Sequence, residues 1–575
     1  MSRIVVRRIS HKRQVMHRLP ALLVALTTAA LSLGFSIGAG PAAAVVHQQI
    51  NGSGSSWAAN AINQWISDVS SEGLQVVFTS SGSAAGRTDY RNVTTDFAVS
   101  DIGFQGVDPL TGVQDTNCIN PANKSTCRPY AYEPIVAGGT SFPYQIRVAG
   151  KLVRNLRLSG ETLAKIFTNK ITNWDDKAIT EDNNGHALPS IPIIPVVHSE
   201  GSGSTAQFTR WLATEYPSLW KSFTNGRSGY TEYFPHQNPQ VPENGSDQVI
   251  NFLTSAAANG AIGYDEYSYA LGKNYPVVNL ENKAGYFVPP TQYNVAVALT
   301  KAKIDYQHGP NYLLQNLNGV YTMPDKRAYP MSSYSYAIIP TSPKDPRMNT
   351  AKRQTLADFL DYDVCQGQAE MGPIGYSPLP INLVEASFKQ TKLLHTADHA
   401  VQIDQNKVTA CHNPTFVAGH PTENYLAKIA PEPPACDKVG QGPCGDGADV
   451  VNSNPQNGKA PSSPGGNSGA NPSGDGNQGG NAPADTGSQP GTGPGGSTPS
   501  GSKTTIDPAT GQQVTSPDVA TEGNANAVAS PSTLPNESNG GIGRILAVLA
   551  VLELLAVLVL PPIIAHRIQR RKQAS

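Results

Sequence analysis

The chain has 575 residues, which is enough for roughly two to four ordinary domains. Its 42 lysines and arginines balance 43 aspartates and glutamates, and this net charge of −1 excludes a strongly basic nucleic-acid-binding protein. The 54 glycines and 46 prolines exceed the share of an average domain, so part of the chain is low-complexity sequence rather than packed core.

The first 44 residues have the three-part pattern of a secretory signal peptide. Positions 1–20 hold basic residues and no acidic ones, and an apolar run at 21–40 and four small residues at 41–44 follow. We therefore predict that residues 1–44 are a signal peptide and that the protein is exported. An uncleaved membrane anchor is the alternative.

The next part of the chain alternates between predicted strands and predicted helices. Apolar side chains recur at helical spacing at 58–69 and 355–360, whereas 74–78 and 191–197 are short apolar runs followed by turns. This alternation predicts an α/β fold with a mostly parallel sheet.

Three loops rich in glycine and serine, at 52–57, 80–86 and 200–205, each precede a predicted helix. Free backbone N–H groups, small hydroxyls and the helix dipole together favour a bound anion. No Gly-Lys-Ser/Thr sequence follows these loops, and Glu200 occupies the place of the first glycine of a nucleophile elbow. We therefore predict a site for a small oxyanion, and no enzymatic activity.

The six cysteines permit three disulfides in an oxidising compartment. Fifteen pairings are possible, and proximity in sequence favours one of them. The spacing contains no CxxC pair, so we expect no metal site. The favoured pairs are Cys118 with Cys127, Cys436 with Cys444, and Cys365 with Cys411.

The C-terminal part has the composition of a tether followed by an anchor. Glycine, proline, serine and asparagine make up 53 of the 90 residues at 451–540. The segment therefore has too few apolar residues to form a core, and we predict a disordered linker. The apolar run at 545–565 is long enough to cross a bilayer, and we predict a transmembrane helix at 541–566. The basic tail at 567–575 would then be cytoplasmic. A processed cell-wall sorting signal is the alternative to a retained anchor.

Residues 50–395 resemble the phosphate-binding subunit of bacterial phosphate ABC importers. The segments that carry this resemblance are 52–57, 82–83, 96–101, 158–163, 166–167, 171–176, 196–204 and 260–264. The resemblance implies a two-lobed α/β venus-flytrap fold of the type II periplasmic-binding-protein kind. It also implies a protein that holds inorganic phosphate between its lobes, needs no cofactor, and delivers phosphate to ABC permease and ATPase subunits.

The resemblance further implies the domain boundaries. The first part of lobe I is expected at 45–135, lobe II at 136–282, and the return to lobe I at 283–410. A cysteine-containing tail at 411–450 then leads into the linker.

Carried over position by position, the resemblance assigns eight ligand-binding residues to the three loops and to the strand ends beside them. Hydroxyl and backbone N–H groups of the loops would donate to the phosphate oxygens. Asp101 would accept a hydrogen bond from a protonated oxygen. The eight are Ser56, Trp57, Ser83, Asp101, His198, Ser202, Gly203 and Ser204.

Asp101 carries the expected selectivity. A buried carboxylate repels an anion unless that anion brings a proton, and phosphate at neutral pH has an O–H whereas sulfate has none. We therefore expect Asp101 to favour phosphate over sulfate. The alternative is that Asp101 only caps a turn after a strand.

His198 stands where the family has an arginine, two residues before the acidic Glu200. A histidine is charged only below its pKa, ordinarily ~6.5, so we expect affinity to fall as the pH rises through the pKa of His198. The alternative is that His198 only packs against the neighbouring strand. This substitution also leaves two other functions open: the same fold used for another small anion or solute, and a surface-anchored structural or adhesive protein whose site has decayed.

Overall fold

The computed structural model describes residues 46–307, 309–403, 411, 413–417, 419–420 and 423–444, with two short stretches at 505–506 and 513–514. The predicted signal peptide, the transmembrane helix at 541–566, the basic tail and most of the linker lie outside these residues. None of the helices in the described ranges is long and apolar enough to cross a membrane.

The chain divides into two units, Met1–Gly465 and Gly466–Ser575. The strands of the described residues, in chain order, are β1 (Ile50–Gly54), β2 (Val76–Thr79), β3 (Phe97–Ser100), β4 (Gly106–Val107), β5 (Gln114–Asp115), β6 (Tyr130–Ser141), β7 (Arg147–Val148), β8 (Lys151–Leu152), β9 (Arg157–Leu158), β10 (Ile194–His198), β11 (Val241–Glu243), β12 (Ala261–Ile262), β13 (Asp265–Glu266), β14 (Asn279–Glu281), β15 (Phe287–Val288), β16 (Lys303–Ile304), β17 (Gln315–Asn316), β18 (Ser332–Pro340), β19 (Thr505–Ile506) and β20 (Gln513–Val514).

All the described α-helices belong to the first unit. In chain order they are α1 (Ala59–Ser70), α2 (Ser83–Arg91), α3 (Gly160–Phe167), α4 (Lys177–Asp182), α5 (Gly203–Glu215), α6 (Pro217–Phe223), α7 (Gly245–Thr254), α8 (Tyr267–Gly272), α9 (Gln292–Leu299), α10 (Asn318–Tyr321), α11 (Thr350–Asp363), α12 (Met371–Ile374), α13 (Ile381–Ala397) and α14 (Tyr425–Ile429). Short 3₁₀ helices span Lys124–Thr126, Gln366–Glu370 and Ala435–Asp437.

The largest sheet has six strands in the order β13-β6-β18-β3-β1-β2. Strand β1 is parallel to both β2 and β3, whereas β18 is antiparallel to β3 and to β6. The α/β prediction is confirmed, but the prediction of a mostly parallel sheet is wrong for this sheet. Strands β6 and β18 are joined by a long excursion rather than by a single crossover helix, so no βαβ unit forces them to be parallel.

Two smaller sheets have three strands each, in the orders β11-β10-β12 and β15-β14-β9. In the first of these, β10 is parallel to both of its neighbours. The antiparallel pairs β4-β5, β7-β8 and β16-β17 complete the first unit. In the second unit, within the predicted linker, β19 pairs with β20.

One apolar cluster fills the space between the six-stranded sheet and helices α1 and α11. It includes Trp65 of α1, Val99 of β3, Ile339 of β18 and Phe359 of α11, all nearly inaccessible to water. Burial of each large apolar side chain stabilises the fold by about 1.5–3 kcal/mol. The apolar spacing at 58–69 and 355–360 thus predicted two helices of the core correctly.

All three predicted disulfides are present, and they link Cys118 with Cys127, Cys365 with Cys411, and Cys436 with Cys444. The predicted lobe boundaries stay predictions.

Candidate anion-binding site

The predicted loops follow the carboxyl ends of parallel strands. Ser55 follows β1, the loop at 80–86 follows β2, and Asp101 follows β3. In the smaller sheet, the loop at 200–205 follows β10. Ligands of open α/β sheets bind outside the carboxyl ends of the strands, and this is where the chain concentrates its small polar residues.

Asp101 accepts hydrogen bonds from three serine hydroxyls that come from three different elements. Ser55 Oγ donates to Oδ1 at 2.7 Å, and Ser83 Oγ, at the start of α2, donates to Oδ2 at 3.2 Å. Ser335 Oγ of β18 also donates to Oδ1. The register of β18 against β6 shifts between Ser335 and Tyr336. Such a bulge redirects a side chain, here toward the carboxylate.

Burial raises the pKa of Asp101 above its ordinary value, although the three hydroxyls and the charge of Arg87 act in the opposite direction. Arg87 lies one turn after Ser83 on α2 and is fully buried. Its guanidinium donates to Ser100 Oγ at 2.7 Å and pairs with Asp115 and Glu232. Arg87 thus fixes α2 beside Asp101, while its own charge is matched by two carboxylates.

The start of α5 packs directly on Asp101. A Cβ atom built on Gly203 would lie 2.1 Å from Asp101 Oδ2 and 2.5 Å from Ser83 Oγ, so only glycine permits this approach. Ser202 caps the helix, since its Oγ accepts from Thr205 N at 3.4 Å. The backbone N–H groups of the first turn of α5 therefore lie beside the carboxylate.

Ser204 and Gln207 continue this face of α5. Ser204 is 2% exposed, and its Oγ has no hydrogen-bond partner among the described residues. Gln207 Nε2 donates to the backbone oxygen of Asp101 at 2.9 Å and so joins α5 to the end of β3. A buried hydroxyl without a partner is unfavourable unless a ligand satisfies it.

Ser56 and Trp57 lie at the start of α1. The hydroxyl of Ser246 donates to Ser56 Oγ at 2.9 Å and is also 2.8 Å from Asp265 Oδ1. Trp57 is buried, packs edge-on against Tyr376, and accepts the Tyr376 hydroxyl on its backbone oxygen at 2.6 Å. Both predicted residues therefore lie just after β1, and Ser56 contacts the start of α7.

His198, the last residue of β10, is 1% exposed and bonded to protein groups on both sides of its ring. Nδ1 lies 2.7 Å from Glu200 Oε1, and Nε2 lies 3.3 Å from the backbone oxygen of Tyr264. Glu200 Oε2 in turn accepts from Gly245 N at 3.0 Å. The His198–Glu200 pair therefore joins the end of β10 to the start of α7.

Burial by itself lowers the pKa of His198, but the carboxylate of Glu200 and its hydrogen bond outweigh burial, and the pKa is raised to about 9. Burial likewise opposes ionisation of Glu200, yet His198 holds the pKa of Glu200 below its ordinary value. The pair is thus ionised at neutral pH. The predicted fall of affinity through the pKa of His198 is therefore expected near pH 9.

The structure brings Ser83, Asp101 and Gly203 into direct contact, with Ser202 and Ser204 flanking Gly203. Ser56 is linked to the His198–Glu200 pair only indirectly, because a Cβ on Gly245 would lie 4.0 Å from Ser56 Cβ and Gly245 N donates to Glu200.

Comparison with known protein families identifies sequences to which this chain is similar. The family model described as "PBP superfamily domain" matches residues 39–366. The phosphate-binding protein PstS 2 of Mycobacterium tuberculosis is 30% identical over 353 residues, which are 60% of this chain and 88% of the relative. The phosphate-binding protein PstS of Xylella fastidiosa is 29% identical over 345 residues, covering 59% of this chain and 83% of the relative.

The chain belongs to the PstS-like family of phosphate-binding proteins. Its fold is α/β, as predicted, and the family model assigns residues 39–366 to the PBP superfamily. The relatives are named as binding proteins, and the prediction that the chain is not an enzyme is confirmed. A solved structure described as a high affinity periplasmic phosphate-binding protein bound with phosphate has a TM-score of 0.46 and 18% identity, and covers 62% of this chain and 100% of its own.

Three polar residues around this candidate site were not predicted from the sequence: Ser55, Ser246 and Ser335. Ser55 adjoins the predicted Ser56 in the same loop, so the loop itself was the signal that could have found it. Ser335 lies 234 residues from Asp101 in a strand without a motif, and only the pairing of β18 with β3 brings it near.

Proposed function

We propose that this protein is an extracytoplasmic solute-binding protein that captures inorganic phosphate between two lobes for an ABC-type importer. Membership of the PstS-like family supports this proposal, and so do the names of the M. tuberculosis and X. fastidiosa relatives. Three disulfides are typical of an exported protein.

The observation that carries the proposal is the contact of the first turn of α5 with Asp101. Hydroxyl and N–H donors converge there on a carboxylate whose pKa is raised by burial. The donors match the unprotonated oxygens of an anion, and the carboxylate matches a protonated one. Phosphate has both kinds of oxygen at neutral pH, whereas sulfate has only the first.

Ligand capture then needs no permanent cation. Ser202 and Ser204 offer hydroxyls, the starts of α1, α2 and α5 offer N–H groups, and Trp57 contributes its backbone N–H. Ser83 contributes through the start of α2, because its hydroxyl already donates to Asp101. Each helix start favours an anion by roughly 0.3–1 kcal/mol, and more in a buried site. His198 supports the third loop through Glu200 and adds charge rather than a direct hydrogen bond.

Calorimetric titration of the purified full chain with phosphate, arsenate and sulfate tests this proposal. We expect phosphate and arsenate to bind, since both carry a proton at neutral pH, and sulfate to bind far more weakly. Equal binding of sulfate and phosphate, or no binding of phosphate, would contradict it.

A second candidate is the same fold used for another small anion or solute. The observation that favours it is the bonding of both His198 ring nitrogens to protein groups, which leaves no side-chain fork where the family has an arginine. The same titration separates the two candidates, because binding of a different small anion in place of phosphate would favour the second.

We also propose that the folded part is held at the membrane by the C-terminal segment and delivers phosphate to ABC permease and ATPase subunits. Protease added to intact cells should cut within 451–540 and release the folded part into the medium. Retention of that part on cells after complete cleavage would contradict the anchoring.

A further inference from the structure

A cavity of about 370 Å³ opens beside Asp101. Asp101 lines it, whereas the other seven predicted ligand-binding residues do not. A cavity of ~150 Å³ already holds a benzene molecule, so this one has room for an organic group of several non-hydrogen atoms. The cavity therefore continues the candidate site in one direction, away from the three loops.

One face of α5 joins the site to this cavity. Gly203 contacts Asp101, Gln207 follows one turn later, and Arg210 follows after about two turns, which is the spacing of one helix face. Gln207 and Arg210 both line the cavity. The first turn of α5 thus lies at the anion site, and its next two turns line the cavity in which a substituent of the anion would lie.

Two side chains that line the cavity, Gln207 and Arg210, can form further hydrogen bonds. Gln207 is 3% exposed, its Nε2 is held by the backbone oxygen of Asp101, and its Oε1 has no partner within the described part of the chain. Arg210 stacks its guanidinium 4.1 Å from the centre of the Tyr230 ring, and it forms no ion pair with a described carboxylate. Gln105, Asn311 and Tyr336 add further polar groups to the wall.

We propose that this cavity receives the organic part of a phosphate monoester of a small polyol, with the phosphoryl group in the anion site. The inference rests on the proposed function and names a second class of ligand for the same site. Gln207 Oε1 accepts a hydroxyl of the polyol, and the guanidinium of Arg210 donates to another. A purely apolar substituent would leave both groups unpaired.

The chemistry of Asp101 restricts the ligand to monoesters. The monoanion of a monoester keeps a P–OH that can donate to the carboxylate, whereas its dianion and a diester have none. Because the second pKa of a monoester is about 6, we expect it to bind more tightly as the pH falls from 7 toward 6. The cavity accommodates the substituent on one phosphate oxygen, and the other oxygens keep the contacts that inorganic phosphate makes.

Calorimetry on the full chain tests this with three probes: inorganic phosphate, glycerol 3-phosphate and dimethyl phosphate. We expect glycerol 3-phosphate to bind within about tenfold of phosphate, and dimethyl phosphate not to bind. The substitution Asn311→Trp places a large ring in the cavity from an exposed position and should weaken the monoester at least tenfold while leaving phosphate within twofold. Asn318→Trp, equally exposed but outside the cavity lining, should change neither affinity.

Arg210→Met, which keeps the length and removes the donors, should weaken glycerol 3-phosphate severalfold and leave phosphate unchanged. Binding of phosphate without binding of glycerol 3-phosphate overturns the inference and leaves the proposed function intact. Binding of neither overturns both. An equal loss of both ligands in Asn311→Trp overturns the assignment of the substituent to this cavity.

Discussion

Asp101 directly follows β3 of the six-stranded sheet, and His198 is the last residue of β10 in a three-stranded sheet. Both are buried and ionisable, but the groups that surround them differ. Asp101 is surrounded by neutral hydroxyls from β18, α2 and the loop after β1, and burial raises its pKa. His198 is paired with Glu200, only two residues further along the chain, and that carboxylate raises the pKa of His198 to about 9.

This difference distinguishes Asp101, which can accept a hydrogen bond from a ligand, from His198, which supports the loop at 200–205. Among the described residues, the side-chain partners of the Asp101 carboxylate are hydroxyls rather than a cation, so a proton from the anion is the natural partner of its carboxylate. The charge of His198 is balanced locally, and its N–H donors are already used. From this comparison we expect Asp101 to determine the selectivity for phosphate and the His198–Glu200 pair to hold the loop at 200–205 rigidly.

The largest expected effect comes from Gly203, where the two sides meet. In Gly203→Ala the new methyl group would lie 2.1 Å from Asp101 Oδ2, and the start of α5 could no longer approach the carboxylate. We expect phosphate affinity to fall by roughly a hundredfold, or about 3 kcal/mol, as for overpacking of a tight site. Calorimetry measures this loss.

Gly272→Ala is the matched control, because a Cβ there meets no atom within 4 Å. It should bind phosphate like the unaltered chain. Normal binding by Gly203→Ala would show that the contact of α5 with Asp101 is not part of the bound state.

His198 should matter for stability in a defined pH window. A folded-state pKa of about 9 against an ordinary value of 6.5 means that the imidazolium stabilises the fold fully below pH 6.5 and that this contribution disappears as the pH rises to about 9. We expect the free energy of unfolding of His198→Gln to lie about 2–3 kcal/mol below that of the unaltered chain at pH 6, and to approach it near pH 9.5. Denaturant titrations at several pH values measure the difference.

Three titratable groups surround His198: Glu200, Tyr264 and Asp265. Burial raises the pKa of Asp265 to about 7, so its own titration falls in the same window. The comparison is therefore repeated in an Asp265→Asn background. His395→Gln, a change at a half-buried histidine that lies 2.7 Å from the backbone oxygen of Val401 rather than beside a carboxylate, is the control for removing a histidine without breaking an ion pair. A pH-independent difference for His198→Gln would contradict the charged pair.

Much of the fold could be predicted from the sequence because its elements are marked locally. The apolar spacing of Ile62 and Trp65 defines α1, and the short separation of two cysteine pairs selects the disulfides. The antiparallel course of β6 and β18 could not be predicted in this way. Strand direction depends on how distant segments return to the sheet, and no local pattern records it.

The residues of the site likewise differ in whether a local sequence pattern marks them. Ser83 and Gly203 lie in loops whose composition points to an anion, and they do meet at Asp101. Ser335 has no such context, since it contacts Asp101 through a bulge in a strand far along the chain. The partner of His198 was visible in the sequence as Glu200, but the bond of its second nitrogen to Tyr264 depends on tertiary packing.

Asp101→Asn tests whether Asp101 determines the preference for phosphate over sulfate. An amide can donate as well as accept. It can therefore donate a hydrogen bond to an unprotonated oxygen of sulfate, which a carboxylate cannot do. We expect the preference for phosphate over sulfate to shrink by about 1–3 kcal/mol, with sulfate gaining and phosphate losing affinity. Competition titrations at pH 7 measure the ratio.

The control for this variant is Asp89→Asn, at an aspartate that also accepts a serine hydroxyl, from Ser53 at 2.7 Å, but lies outside the site. It should leave the ratio unchanged. An unchanged ratio in Asp101→Asn would favour the alternative that Asp101 only caps a turn.

The smallest expected effect belongs to Ser335, and it decides how Asp101 is held. Ser335→Ala removes one of the two hydroxyls on Oδ1 and leaves Ser55 on the same oxygen. Loss of a single hydrogen bond to a charged group that keeps another partner should reduce phosphate affinity by about 1 kcal/mol, or roughly fivefold. The lost donor also destabilises the carboxylate form, so the pKa of Asp101 should rise further and sulfate should be penalised less. Ser333→Ala, at a buried serine of the same strand that does not contact Asp101, is the control. If Ser335→Ala changed neither affinity nor selectivity, Ser55 and Ser83 alone would hold the carboxylate, and the bulge in β18 would serve the sheet rather than the site.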